Sequence, residues 1–267
     1  MIALSAYLDR INWQGDARPD LETLRRVHRQ HLYHIPYETL DIHLGREMHT
    51  ALEPTFEKLV ERKRGGWCYE LNGLLAWALE EIGFEVRRVA AGAPGFLPEL
   101  GNHLMLLVPL EETWLVDVGM GDGLLEPMAL RAHATTQGFL DFRLEESASG
   151  EWVFHNHRLA GVKQVNFGEK DAEPSIFEAR SRWLQTSPES PYFNVVMATR
   201  FTEDGIESLY GRIRRKVSAG GKQSYLIDSA EEFAQELEET FGIRDAEVES
   251  LWPVVEARHE TLFGDKK

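Results

Sequence analysis

The sequence predicts an α+β protein in three parts. Residues 1–84 are predicted to be helical, residues 85–190 to form an antiparallel β-sheet or barrel, and residues 191–267 to mix both. Two observations lead to this prediction. Apolar residues recur at helical spacing up to Gly83 and at strand-like spacing after it. The strands then follow one another without long helices between them, which favours antiparallel pairing. The hydrophobic content of 43% and charged content of 27% are typical of a globular protein.

The helical part contains an amphipathic segment that opens at Pro19 and Asp20. It ends before Pro36, because proline disfavours helix in the residue that precedes it. Three histidines in this region recur at a spacing of three, which invites comparison with a metal site: His28, His31 and His34. No carboxylate or fourth ligand stands at a fitting spacing, so we predict that the protein holds no metal.

Residues 64–73 contain the only cysteine of the chain, Cys68, directly after a pair of glycines. An apolar stripe with helical spacing follows from Leu71 to Ile82, and Gly83 supplies a helix stop. Cys68 is therefore expected at the first turn of a buried helix. Unpaired N–H groups and the helix dipole favour a thiolate there, and the thiolate is the nucleophilic form. The alternative is a small buried hydrophobic residue, which a free cysteine often is.

The middle part carries five predicted strands, which cover residues 84–91, 104–108, 114–118, 139–144 and 152–159. Residues 109–113 form a plausible hairpin connection between the second and third of them, and residues 147–150 one between the last two. In the last part, hairpins are predicted around residues 203–205 and 219–221. A Ser-x-x-Glu capping box at Ser229 then opens a helix that stops at Gly242, and a final helix follows Pro253.

A nucleophilic cysteine needs a base, and the base needs a group that orients it. His103 opens the predicted strand that ends at residue 108, and Asp117 lies inside the apolar run of the next strand. A lone carboxylate there would be costly unless it were paired. A hairpin between the two strands makes His103 and Asp117 neighbours, with one ring nitrogen left for Cys68. The alternative is an aspartate that caps the following turn beside an unrelated histidine.

Bulk properties exclude several classes of function. The formal net charge of −15 argues against nucleic-acid binding. The longest apolar run, residues 104–110, is too short to span a membrane. Residues 1–13 lack the pattern of a signal peptide, and a single cysteine excludes an internal disulfide framework. We therefore expect a cytoplasmic protein with neither nucleic acid nor membrane as partner.

Four stretches of the sequence resemble the arylamine N-acetyltransferase family. Residues 35–41, I-P-Y-E-T-L-D, are similar to the family's I-P-F-E-N-L, and residues 64–72 match R-G-G-x-C-x-E-x-N throughout. Residues 103–108 follow, and residues 114–121, W-L-V-D-V-G-M-G, are similar to L-V-D-V-G-F-G. Order and spacing agree over the first half of the chain. Two departures stand out, since Thr39 replaces the usual asparagine and Met120 the usual phenylalanine.

The resemblance implies a fold with an N-terminal helical bundle, a central antiparallel β-barrel and a C-terminal α/β lid, built around a Cys-protease-like catalytic core. It implies a catalytic triad of Cys68, His103 and Asp117. It also implies acetyl-CoA as donor and an arylamine or hydrazine as acceptor, by a ping-pong mechanism. The alternatives are a transglutaminase-like or papain-like cysteine hydrolase with the same triad, and a binding module with a relict triad.

Further residues are assigned roles by the same resemblance. Arg64 and Glu38 are expected to form a buried ion pair that fixes the cysteine stretch, with Asn72 as additional structural support. The backbone N–H of Tyr69 is expected to help stabilise an oxyanion. The acceptor pocket is expected to be lined by Met120, Asp122 and Leu124.

Overall fold

The computed structural model describes residues 2–95 and 100–263 of the chain. The N-terminal helices are α1 (Leu4–Arg10), α2 (Leu21–His34), α3 (Leu40–His43), α4 (Leu52–Phe56) and α5 (Cys68–Ile82), and a short strand, β1 (Tyr37–Glu38), lies between α2 and α3. The Asp20 carboxylate caps α2 by accepting a hydrogen bond from the Thr23 amide at 2.8 Å. Gly83 ends α5 with a φ of 109°, which favours glycine. The predicted start of α2 and the predicted bounds of α5 are therefore confirmed.

An eight-stranded antiparallel sheet follows. Its strands are β2 (Arg87–Gly92), β3 (His103–Pro109), β4 (Thr113–Val116), β5 (Met128–Ala129), β6 (His133–Gln137), β7 (Leu140–Glu146), β8 (Trp152–His155) and β9 (Gln164–Asp171). They are ordered β5-β4-β3-β2-β9-β8-β7-β6. The predicted hairpins β3–β4 and β7–β8 are both present.

The predicted barrel is an open, curled sheet rather than a closed one. Within the described residues, the edge strands β5 and β6 are not paired with each other. Strand β5 has only two residues, which gives β6 almost no backbone ladder to join. A side chain bridges the gap instead, because the amide oxygen of Gln137 accepts from the backbone N–H groups of Leu125 and Glu126, both at 2.9 Å.

A helix that the sequence did not predict, α6 (Pro174–Thr186), follows the eight-stranded sheet. It buries Phe177 and Leu184 but is otherwise largely polar, so its apolar stripe is too sparse to indicate a helix by periodicity. The sequence also did not predict strands β6 and β9. The sequence of β6, H-A-T-T-Q, is polar, and β9 ends in three exposed residues.

The C-terminal part forms a second sheet. Strands β10 (Met197–Thr202), β11 (Gly205–Tyr210), β12 (Ile213–Ser218) and β13 (Gly221–Leu226) join β1 in the order β1-β10-β11-β12-β13. Helices α7 (Ala230–Glu239) and α8 (Trp252–Phe263) follow. The Ser229 hydroxyl accepts from the Glu232 amide at 3.2 Å, which confirms the predicted helix start.

Strand β1 links the first and last parts of the chain, because Tyr37 pairs with Thr199 of β10. Thr39, the departure from the family's asparagine, strengthens this link: its hydroxyl accepts from the Met197 amide at 3.2 Å. A small core that contains Leu40 and Phe233 lies beneath this sheet. The division into domains at residues 84 and 190, the lid role of the last part and the Cys-protease-like core stay predictions.

The larger core lies between the N-terminal helices and the eight-stranded sheet. Helix α5 packs directly on β3 within it. The Asn72 side chain ties them by donating a hydrogen bond to the Leu104 carbonyl at 2.7 Å. Because both elements begin at the same end of this contact, their first residues, Cys68 and His103, lie close together.

Candidate active site

Cys68 is the first residue of α5, and its side chain is almost completely buried. The backbone at Gly119 approaches it so closely that an added Cβ would lie 2.7 Å from the Cys68 Cα and 2.6 Å from the side-chain nitrogen Nδ2 of Asn72. Only glycine fits between these atoms. The loop after β4 is therefore held directly against the cysteine.

The structure brings His103 and Asp117 together as the hairpin predicted. Leu106 lies opposite Val116 in the β3–β4 ladder, so Asp117, which follows β4, lies beside the start of β3. The His103 Nε2 is 2.8 Å from the Asp117 Oδ2. The second ring nitrogen, Nδ1, remains for the Cys68 side chain, with which His103 also interacts.

The Asp117 carboxylate is fully buried, and both of its oxygens have partners. The oxygen that does not meet His103, Oδ1, accepts hydrogen bonds from the Asn72 side-chain amide and the Gly119 N–H, both at 2.8 Å. Asn72 is fixed in turn, since its own oxygen accepts from the Val118 amide at 2.9 Å. These bonds offset the cost of burying the carboxylate and set its orientation.

The electrostatics of this group favour a charged imidazole. Burial lowers the pKa of His103, but the charge and hydrogen bond of Asp117, with a smaller contribution from Cys68, outweigh it and raise the pKa to about 10. His103 is therefore an imidazolium at neutral pH. A positive charge beside the sulfur stabilises a thiolate, which is the nucleophilic form of cysteine.

His28 supports Asp117 from behind, a role that its sequence position on α2 did not reveal. Burial lowers the pKa of His28 to about 4, so its ring is neutral at neutral pH. A neutral imidazole has one donor and one acceptor. Its Nδ1 lies 3.1 Å from the Leu125 carbonyl oxygen, and its Nε2 lies 3.2 Å from the Asp117 carbonyl oxygen and 3.4 Å from the Asp117 backbone nitrogen. The other two histidines of the spaced set have separate partners, because His31 meets the Tyr7 hydroxyl and His34 the Gln30 carbonyl.

Charged side chains fill the space on the other side of the cysteine stretch. We call this group the charged cluster; its members are Glu38, Asp41, Lys58, Arg64, Glu70 and Asp245. The expected Arg64–Glu38 pair is present, with Nη2 2.7 Å and Nε 3.1 Å from the same Glu38 oxygen. Arg64 also donates to Asp41 at 3.1 Å and to Asp245 at 2.6 Å.

Lys58 forms the second half of the charged cluster. Its ammonium lies 2.8 Å from the Asp41 carboxylate and 3.0 Å from that of Glu70. Burial lowers the pKa of Lys58, but the surrounding carboxylates outweigh this effect and raise it, so the lysine stays charged. Glu70 in turn accepts a hydrogen bond from the Trp67 amide at 3.3 Å, one residue before the cysteine. The charged cluster thus fixes the backbone on both sides of Trp67.

A small cavity of about 70 Å³ opens on the side of the site that faces His103. Among the described residues, it is lined by Tyr37, Ala93, Asn102, His103, Gly119, Met120, Val162, Val165, Leu184 and Tyr192. Met120 lies at this wall, and its expected contact with the acceptor stays a prediction. Neither Tyr37 nor Tyr192 was predicted there, although Tyr37 belongs to one of the four family-like stretches.

The other three residues expected at the substrate site do not line this cavity. The Tyr69 hydroxyl donates to the Gly101 carbonyl at 2.7 Å, and Leu124 lies in the core. The Asp122 carboxylate accepts from the Gly161 amide at 2.7 Å. Burial raises the pKa of Asp122 to about 6. Packing of the loop after β4 turns the side chains of Asp122 and Leu124 away from the cavity, and an alignment of motifs does not contain that information. The expected role of Tyr69 concerns its backbone N–H and stays a prediction.

Within residues 2–95 and 100–263, no group of three or more histidine, cysteine, aspartate or glutamate side chains is arranged to hold a metal ion. The helices described in those two ranges are all too short or too polar to cross a bilayer.

Comparison with known proteins identifies the class to which this fold and site belong. A family model described as N-acetyltransferase matches residues 20–248, and the class is therefore that of acetyl-transferring enzymes. An arylamine N-acetyltransferase from Mycolicibacterium smegmatis is 34% identical over 90% of this chain and 91% of its own length. The pineal gland isozyme from Gallus gallus is 31% identical over 90% of this chain and 93% of its own. The chain belongs to the arylamine N-acetyltransferase family.

Solved structures agree with this assignment. The arylamine N-acetyltransferase of Mycobacterium marinum in complex with CoA superposes with a TM-score of 0.87 at 28% identity, over 97% of this chain and 99% of its own. The enzyme from M. tuberculosis gives a TM-score of 0.86 at 30% identity, over 96% of this chain and 99% of its own. These comparisons favour an acetyltransferase over the cysteine hydrolase that the sequence left as an alternative.

Proposed function

We propose that the protein transfers the acetyl group of acetyl-CoA to the amino group of an arylamine or hydrazine, through an acetyl-Cys68 intermediate. The observation that carries the proposal is the contact of Cys68, His103 and Asp117 beside a cavity, in a chain of this family. Two half-reactions with a covalent intermediate give ping-pong kinetics.

In the first half-reaction the Cys68 thiolate attacks the thioester carbonyl of acetyl-CoA. The negative charge that develops on the carbonyl oxygen is stabilised by backbone N–H groups at the start of α5, including that of Tyr69. Collapse of this intermediate breaks the bond to the CoA sulfur. The His103 imidazolium gives its proton to that sulfur, so CoA leaves as a thiol and the acetyl group stays on Cys68.

In the second half-reaction the acceptor amine attacks acetyl-Cys68. His103 is now neutral and takes a proton from the amine as the new carbon–nitrogen bond forms. The carbon–sulfur bond then breaks, Cys68 returns as a thiolate and His103 as an imidazolium. Asp117 keeps the ring of His103 oriented through both steps, and Asn72 and the charged cluster keep the cysteine stretch in place. Met120 contacts the acceptor from the cavity wall.

Intact-protein mass spectrometry tests the proposal most directly. The wild type and Cys68→Ala are exposed briefly to acetyl-CoA without acceptor, and an arylamine is added afterwards. We expect one acetyl adduct on the wild type alone, discharged when the amine arrives. Cys68 is the sole cysteine of the chain, so no other thiol can carry the adduct.

Two outcomes contradict the proposal. An adduct that decays equally fast without amine identifies a hydrolase. The absence of an adduct on a folded wild type excludes acetyl-CoA as the donor for this site.

A further inference from the structure

Two tyrosine hydroxyls meet at the wall of the active-site cavity. Tyr37 comes from β1, and Tyr192 comes from the short helical turn Pro191–Phe193, 155 residues away in sequence. The Tyr37 hydroxyl donates to the Tyr192 hydroxyl oxygen at 3.3 Å. Apart from Asn102 and His103, the other side chains that line the cavity are apolar. The hydroxyl pair is therefore one of the few polar groups in a mostly apolar wall.

Both rings are held by the fold rather than by each other. Tyr37 is paired through its backbone with Thr199 of β10. The Tyr192 amide donates to the Ser190 hydroxyl, which itself donates to the Leu184 carbonyl. The ring of Tyr192 packs edge-on against Trp67, with centroids 5.5 Å apart and planes at 81°. Polar groups that are held rigidly in this way can bind a ligand with little loss of conformational entropy.

The hydrogen-bonding capacity of the pair is only partly used. A tyrosine hydroxyl offers one donor and accepts through its lone pairs. The bond between the two hydroxyls is longer than the usual 2.7–2.8 Å for such a contact. Among the described residues, the Tyr192 proton has no acceptor. The contact is only partly buried, so this proton is available for a bound molecule.

We propose that the Tyr37–Tyr192 hydroxyl pair selects acceptors that carry a neutral hydrogen-bonding substituent, such as a hydroxyl group, on the aromatic ring. This inference rests on the proposed transferase function and names its acceptor class. Burial raises the pKa of both phenols, so they stay protonated and able to donate.

A neutral substituent fits this wall better than a carboxylate. No lysine or arginine lines the cavity among the described residues, and the positive charge of His103 is already paired with Asp117. A carboxylate would lose its hydration there without gaining a cation of its own. A hydroxyl gains a donor from Tyr192 and can itself donate to the Tyr37 oxygen.

The test compares aminophenols with toluidines, matched at the ortho, meta and para positions, because hydroxyl and methyl groups are similar in size. The quantity measured is the ratio of kcat/KM for aminophenol to that for toluidine, in the wild type, Tyr192→Phe and Tyr37→Phe. Intrinsic differences in amine reactivity cancel between enzyme variants. Loss of one neutral hydrogen bond should lower the ratio about fivefold in Tyr192→Phe at the best-matched ring position.

Tyr225→Phe is the matched control, because Tyr225 lies exposed on β13 and bonds Glu236 far from the cavity. Its ratio should equal that of the wild type. Acetylation of Cys68 by acetyl-CoA alone is measured in every variant, so that an effect on the acyl-enzyme step is separated from an effect on acceptor choice. It should not change in Tyr225→Phe.

The outcomes separate this inference from the proposed function. If wild-type Cys68 is not acetylated, the proposed function itself fails. If it is acetylated and the ratio is unchanged in Tyr192→Phe, the inference is wrong. Should Tyr192→Phe not be acetylated, the ratio in Tyr37→Phe decides, and an unchanged ratio there also overturns the inference.

Discussion

The two sides of the cysteine stretch, residues 64–72, are built in opposite ways. Behind it, the charged cluster is buried, and each member contacts at least one opposite charge within 3.1 Å. In front of it, the cavity is mostly apolar, with one long hydroxyl contact and the flexible side chain of Met120. The charges of the charged cluster are therefore paired, whereas the hydroxyl groups in the cavity can still form further hydrogen bonds.

This difference assigns separate tasks to the two sides. A buried ion pair contributes little net free energy over a well-packed apolar substitute, but removing one partner is very costly. The charged cluster therefore specifies one arrangement of the backbone around Cys68. The cavity has no such constraint, so its residues can vary with the acceptor. Substitutions in the charged cluster should lower the free energy of unfolding, and substitutions in the cavity wall should change the choice of acceptor.

The largest effect is expected from Arg64→Met. The substitution removes the cation that Glu38, Asp41 and Asp245 share. Among the described residues it leaves the buried Glu38 carboxylate without an ion pair, whereas Asp41 keeps Lys58 and Asp245 keeps Arg46. The free energy of unfolding should fall by about 3–5 kcal/mol. Urea denaturation at neutral pH measures this change.

Arg88→Met is the matched control, since Arg88 forms a bidentate pair with Glu80 on the surface, where both side chains are more than a third exposed. There the same substitution should cost at most about 1 kcal/mol. Equal losses in the two variants would show that the charged cluster is no more constrained than a surface pair.

Asp245→Asn should have an intermediate effect that depends on pH. Hydrogen bonds from Arg46 lower the pKa of Asp245 most, and burial opposes them. The Glu247 N–H and then the charges of Arg64 and Arg46 add to the lowering, so the pKa falls from 3.8 to about 2. A lowered carboxylate pKa means that the folded state favours the charged form. The stabilisation is therefore present above pH 3.8 and is lost as the pH falls toward about 2. At neutral pH we expect the variant to lose ~1–2 kcal/mol after allowance for solvent screening.

The measurement is a set of urea denaturation curves for wild type and Asp245→Asn at falling pH. The difference between them should shrink through the acid range and vanish near the lower pKa. Asp228→Asn serves as control, because Asp228 pairs with Arg212 but is 79% exposed, and its loss should be close to zero. A difference that stays constant with pH would mean that the charge of Asp245 does not carry its effect.

The two sides also differ in how well the sequence predicted them. Cys68, His103 and Asp117 were found because each lies at a fixed place in a local pattern, a helix start or a hairpin. The Arg64–Glu38 pair came from the family motifs. Asp245 had no such signal, since it is 181 residues from Arg64 and lies in an unremarkable turn. Contacts between residues so far apart in the sequence depend on how whole sheets pack, and local sequence patterns do not predict that packing.

The fold shows the same limit. Helices with a dense apolar stripe, such as α5, and strands with alternating apolar residues, such as β7, were predicted close to their observed bounds. Polar elements were not: α6, β6 and β9 have few apolar residues, and tertiary contacts rather than local preference place them. Closure of the barrel also failed as a prediction, because it depends on the length of one edge strand, β5.

The smallest effect is expected in front of the cysteine, from Met120→Phe. Met120 lies at the cavity wall beside Gly119 and His103, where the family usually has phenylalanine. An aromatic ring there can stack on a flat acceptor, which is worth about 0.5–1.5 kcal/mol and should lower the KM for aromatic amines severalfold. Stability should not fall as it does in Arg64→Met, because no buried charge loses its partner. Steady-state kinetics with a series of arylamines and one aliphatic hydrazine measure the effect, and Met120→Leu controls for volume without adding a ring.

An acceptor profile that is the same in all three enzymes would mean that Met120 does not contact the acceptor. A loss of stability as large as that of Arg64→Met would remove the distinction between the two sides altogether.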